Sequence, residues 1–139
     1  MKANELRIGN LVECFGIREV ISIKEHKIKV RNESEKGHFI IEWCPIDSSS
    51  LKPITLTEEI LAKLGFIEVK HFWHELKYFT DCEEYAECFL ISYNVKSKRL
   101  GINDPESDSD IFYTGKKIKH LHELQNLYFS LTKNELSYE

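Results

Sequence analysis

The sequence predicts an α+β fold in which strands dominate the front half and an amphipathic helix closes the chain. Three observations carry this expectation. Apolar and polar residues alternate at a period of two in short runs over residues 11–43, capping chemistry brackets residues 56–65, and the apolar period changes to about 100° per residue after position 120.

Residues 11–15, 20–23, 27–31 and 39–43 read as four short strands separated by turn-like sequence. In the third, Lys27-Ile28-Lys29-Val30-Arg31, the alternation puts Ile28 and Val30 on one face and three cations on the other, so one side is buried and one is wet. Gly16, Lys24-Glu25-His26 and residues 32–37 keep the connections short enough for an antiparallel meander. Four or five such strands in about 50 residues is the size at which a sheet curls into a small SH3-like barrel, because curling removes exposed edges.

The serine-rich stretch 47–52, which runs into Pro53, reads as a connector. Thr57 then suits a helix N-cap, Glu58 and Glu59 complement the positive end of the helix dipole, and Leu56 can staple onto Leu61. Gly65 supplies the left-handed position that ends this short central helix. A second small antiparallel sheet follows: the aromatic-rich stretch 66–79 holds two strands with a bend near 71–74, residues 88–93 pair with 95–102, and 111–113 is a short last strand. Between them, residues 103–110 (NDPESDSD) read as an exposed acidic loop. Leu121, Leu124, Leu127, Tyr128 and Leu131 share one apolar stripe and predict a C-terminal amphipathic helix. The elements group into a β-rich SH3-like subdomain over residues 1–50 and an α+β subdomain over residues 51–139, which also read as one continuous domain.

A chain of 139 residues is of single-domain size, and folding at that size buries roughly two-thirds of the unfolded surface. Its 42% apolar and 30% charged residues are ordinary globular values, which excludes disordered, collagenous and coiled-coil classes. The formal charge of −4 opposes the field most nucleic-acid binders use, although a local basic patch is compatible with it. Cys14, Cys44, Cys82 and Cys88 form no CxxC pair and follow no apolar leader, so they are expected to be reduced, mostly buried thiols in a cytoplasmic protein. The longest apolar runs are only a few residues, far short of the ~20 that cross a bilayer, and no membrane partner is expected.

Three segments, ELRIGNLV at residues 5–12, LKPITLTEEILAKLGF at 51–66 and IKHLHELQNLYFSLTKNEL at 118–136, together carry a family resemblance. The chain resembles the small uncharacterised proteins of bacterial prophages and mobile elements that open with an LRIGN-type strand and end with an HxLQNLYFxLT-type helix. The resemblance implies a phage or mobile-element setting in a bacterial cytoplasm. It brings no activity, cofactor or catalytic residue with it, and the stretch 67–110 has no counterpart in it.

His71 and His74 with Cys82 and Cys88 offer the two nitrogens and two thiolates of tetrahedral zinc. Five residues separate the two cysteines and no tight knuckle pairs the ligands, so packing within strands is the better reading. His120 and His122 would point about 200° apart on a straight helix and could not share one ion, which makes His120 a boundary residue. Asp104, Glu106, Asp108 and Asp110 alternate as in a calcium loop, yet Ser109 and Gly115 stand where a calcium hand needs Gly and a bidentate Glu. No metal and no cofactor is expected. The sequence has no GxSxG, GxxxxGK[ST] or GxGxxG motif, and no catalytic residue is assigned.

Two basic clusters remain: Lys96, Lys98 and Arg99, and Lys116, Lys117 and Lys119. They could touch a nucleic-acid backbone, with Phe72, Trp73 and Tyr78 as a stacking or contact patch if exposed on a sheet face. The plainer reading is a solvated surface over core aromatics. With no catalytic constellation standing, the expected function is a non-enzymatic binding module, a phage or mobile-element accessory protein whose partner is another protein. Nucleic-acid binding through the SH3-like half and the basic clusters is the alternative, and a small-molecule binder or hydrolase with a pocket between sheet and last helix is the third. Oligomeric state is not readable from these residues.

Overall fold

The computed structural model describes residues 2–33, 39–70, 73–79, 88–103, 112–113 and 115–138, with side chains not described at 32, 33, 39, 40, 70, 73, 74, 77–79, 88, 89, 103, 112 and 113. After a 3₁₀ turn at Ala3–Glu5 come strands β1 (Leu11–Cys14), β2 (Ile17–Lys24), β3 (Lys27–Glu33), β4 (Phe39–Pro45) and β5 (Leu51–Lys52). Helix α1 (Glu58–Lys63) follows, then β6 (Ile67–Lys70), β7 (Trp73–Phe79), β8 (Cys88–Asn94), β9 (Arg99–Asn103), β10 (Phe112–Tyr113) and helix α2 (Leu121–Thr132). This is the α+β arrangement the sequence predicts, with two antiparallel sheets of five strands each among the described residues. The chain forms two compact units, Met1–Thr55 with His120–Glu135, and Leu56–Lys119 with Leu136–Glu139.

In the first unit the strand order is β4-β3-β2-β1-β5, every pair antiparallel. Two strands lie between β1 and β4, so in a flat sheet those strands would be about 14 Å apart at the usual inter-strand spacing. The Cα atoms of Cys14 on β1 and Cys44 on β4 are only 7.5 Å apart and their sulfurs are joined as a disulfide. The sheet is therefore curled into a half-barrel, helped by a bulge on β2 between Val20 and Ser22. Val12, Cys14, Val20, Ile28, Val30, Cys44 and Leu51 line its inside together with Leu6. The disulfide corrects the expectation of reduced thiols for this pair. Thirty residues of sequence separate the two, and only the curl brings them together. Cys82 and the side chain of Cys88 lie outside the described residues.

The β1–β2 connection holds Phe15 and Gly16 at φ 55° and 106°, a left-handed geometry that glycine adopts freely and phenylalanine rarely does. Strand β5 corrects the reading of residues 47–52 as connector throughout. Leu51 is buried and pairs with Cys14, which converts the end of that stretch into a two-residue edge strand. Helix α2 packs on β1. Its buried face runs through Leu121, Leu124, Gln125 and Tyr128, while Leu127 is half-buried and Leu131 is exposed.

The second unit has strand order β10-β9-β8-β7-β6. Thr57 caps α1 by accepting from the N–H of Ile60 at 3.3 Å. The helix ends where Gly65 turns left-handed at φ 81°, with its N–H on Ala62 O at 3.0 Å and that of Phe66 on Leu61 O at 2.9 Å. Ile91, Tyr93 and Leu100 are almost wholly buried, and the Tyr93 hydroxyl donates to Ile118 O at 2.7 Å. Among the described residues no helix is long and apolar enough to cross a membrane.

Candidate functional site

The alternation that buries Ile28, Val30 and Cys44 sends their neighbours to the wet face of the first sheet. Register then sets those neighbours in rows. Lys24 lies opposite Lys27, Lys29 lies opposite Trp43, and Arg31 lies between Glu19 and Ile41. Trp43 is 42% exposed, and the ammonium groups of Lys27, Lys24 and Lys29 lie 4.8, 5.0 and 5.7 Å from its ring centroid. All three are within the ~6 Å over which a cation is attracted to the π-face. One row away, Arg31 donates twice to Glu19 Oε2, at 2.5 Å from Nη2 and 3.1 Å from Nε. Lys24 and Lys27, directly opposite one another, repel. An exposed aromatic plane ringed by ammonium groups suits a ligand carrying both flat rings and negative charge.

Trp43 was not among the residues singled out from sequence. The local pattern pointed the other way: in Phe39-Ile40-Ile41-Glu42-Trp43 the one polar residue is Glu42, so period two alone groups Trp43 with the apolar side. What the pattern lacked was the β3–β4 register.

The two sequence-predicted basic clusters do come together, in the second unit. The N–H of Ile118 donates to Lys98 O at 2.9 Å, which sets Lys117 and Lys119 beside the β8–β9 turn that bears Lys96, Lys98 and Arg99. Lys96, Arg99, Lys116, Lys117 and Lys119 are exposed, while Lys98 is half-buried with Nζ 3.4 Å from Leu56 O. Phe72, and the side chains of Trp73 and Tyr78, lie outside the described residues. So do His71, the side chains of His74 and Cys88, and the carboxylates Asp104, Glu106, Asp108 and Asp110. Among the described residues no cluster of three or more His, Cys, Asp or Glu side chains could hold a metal ion.

His120 and His122 behave otherwise than the helical spacing implies. Their rings stack, with centroids 5.6 Å apart and planes 6° from parallel. The reason is that His120 is the N-cap of α2, with extended φ and ψ of −125° and 153°, so the 100° step does not apply to it. Its N–H donates to Glu123 Oε2 at 3.1 Å, one arm of a capping box.

The LRIGN and HELQNLYFSLT segments meet in the first unit, and their polar residues hold α2 on β1. Asn10 is fully buried, accepts from the N–H of Arg7 at 2.7 Å, and donates to Asn126 Oδ1 at 2.9 Å. Asn126 donates in turn to Glu5 O, and the N–H of Leu11 donates to Gln125 Oε1, each at 2.9 Å. The Arg7 guanidinium lies 4.0 Å from the Phe129 ring centroid and grips Glu135 through both nitrogens at 2.5 and 2.7 Å. That hydrogen-bonded pair raises the Arg7 pKa and holds the Glu135 carboxyl below the usual carboxylate range. Gly9, at φ 91°, lies so close that a Cβ there would be 3.2 Å from the Glu135 carboxylate. In the second unit, an open depression of about 460 Å³ is lined by Ala62, Lys63, Leu64, Gly65 and Ser137.

No protein-family model, curated protein or solved structure matches this chain.

Proposed function

We propose that this protein is a non-enzymatic binding module that takes single-stranded nucleic acid on the wet face of its first sheet, in the phage or mobile-element setting that its end motifs resemble. The observation that supports this reading is the exposed Trp43 indole with three lysine ammonium groups around it. A base can stack on the indole while neighbouring phosphates neutralise the lysines, a pairing of forces that needs no base-specific hydrogen bonds. The acidic net charge of the chain is no obstacle, since the field that matters is local.

Fluorescence anisotropy of a labelled oligothymidylate, titrated with the protein across a tenfold range of salt, tests the reading. Stacking on an aromatic contributes ~1–3 kcal/mol per base, so Trp43→Ala is expected to weaken binding by roughly 5- to 150-fold. Three phosphate contacts predict a slope of about −2 in log affinity against log salt, reduced by about 0.7 for each of Lys27→Ala and Lys29→Ala. No binding at low salt, or an affinity indifferent to Trp43→Ala, sinks it.

A protein partner is the second reading, and the edge strand β6 favours it. Ile67 and Val69 are 71% and 51% exposed on a strand that, among the described residues, has only β7 beside it, the geometry that an added strand completes. An Ile67→Lys, Val69→Lys double variant that captured the same bacterial proteins as the parent chain would remove this reading.

A further inference from the structure

We infer that the Cys14–Cys44 bond is a redox-operated clasp that holds β4, the edge strand bearing Trp43, to β1. Its consequence for ligand binding rests on the function proposed above; the clasp itself does not. Among the described residues, β4 has a hydrogen-bonded neighbour on one side only, β3. Across the seam it is tied to β1 by the bond from Cys44 to Cys14, both cysteines buried on the inner face. An edge strand with one ladder opens locally more readily than a central strand, and a covalent tie across the seam opposes that opening.

Each bridged cysteine adjoins an exposed aromatic. Trp43 precedes Cys44, and Phe15, which is 73% exposed and left-handed, follows Cys14. With the bridged Cα atoms 7.5 Å apart and consecutive Cα atoms separated by about 3.8 Å, the Cα atoms of Phe15 and Trp43 lie within about 15 Å of each other. The clasp therefore limits how far apart the backbones that carry these two exposed aromatics can move. A bulky aromatic kept in a rarely adopted backbone conformation at such a point is consistent with use as a contact residue. Reduction proceeds by exchange with a low-molecular-weight thiol: the Cys14–Cys44 S–S bond breaks, two thiols of the reductant join as its own disulfide, and their two protons and two electrons pass to the cysteine sulfurs. A low-molecular-weight disulfide reverses the reaction.

Hydrogen–deuterium exchange of the full chain, oxidised and then treated with dithiothreitol, reads the clasp directly. Titratable thiols should rise by two on reduction, and the amides of residues 39–44 should exchange about tenfold faster while those of β7 and β8 do not change. A Cys14→Ala, Cys44→Ala variant should match the reduced protein and ignore the reductant. Unchanged protection of β4 after reduction, or no new thiols, overturns the proposal. Oligothymidylate affinity should fall on reduction of the parent chain and be insensitive to it in the double variant. If the oxidised protein binds no oligonucleotide, the functional reading fails, and the exchange rates of β4 alone still decide the clasp.

Discussion

Asn10 shows what a buried polar side chain does in this protein. It is sealed from water, and its amide has both ends answered, by Arg7 and by Asn126. Truncating one member of such a set strands its partners without water. Asn10→Ala is expected to destabilise the chain by about 2 kcal/mol, read as a lower urea midpoint at unchanged slope. A shift below about 0.5 kcal/mol would mean the network adds little beyond geometry. The polarity of Asn10 and Gln125 is visible in sequence; their bridging of β1 to α2 is not, because Asn126 and Leu11, the partners they reach across that contact, lie more than a hundred positions away. Trp43 was hidden for a related reason. The cations of Lys27-Ile28-Lys29-Val30-Arg31 were legible on a wet face, but that an indole lies among them depends on which residue of β4 faces Lys29.

Elements with local causes were the most legible. Thr57, the two following glutamates and Gly65 predicted α1, whose signals are all within one helix length, and the structure has that cap and that left-handed end. Thr57→Ala is expected to cost about 1 kcal/mol, lowering the thermal midpoint by a few degrees. A midpoint unaltered within error would show that packing of Leu61 and Leu64 alone holds this helix. Strand β5 was missed because two residues carry no period at all; it exists only because β1 offers an edge to Leu51. In α2 the stripe was legible but its limits were not. The helix turns Gln125 toward β1, where it accepts from Leu11, and leaves Leu131 exposed. Hydrophobicity alone ranks those two residues the other way.

At the scale of the molecule, the first unit is discontinuous in sequence. It takes its strands from Met1–Thr55 and its helix from His120–Glu135. Within it, Leu121 and Leu124 are fully buried on α2 and Gln125 nearly so, and α2 packs on β1. A fragment of residues 1–55 therefore lacks the cover for its half-barrel. It should show no cooperative thermal transition and should bind a hydrophobic dye, as chains that lose specific packing do. A sharp melt of that fragment near the midpoint of the full chain would contradict the dependence.

The sequence by itself determined the kinds of element and nearly all of their order, since alternation, capping and helical spacing act within a few residues. It also determined that one face of the first sheet would be wet and cationic. Only the tertiary structure decided that this sheet curls until Cys14 reaches Cys44, that the last helix folds with the first strands, and that Trp43 lies among the lysines. These depend on register and curvature, which are set by the burial of many distant side chains at once and leave no mark at any single position.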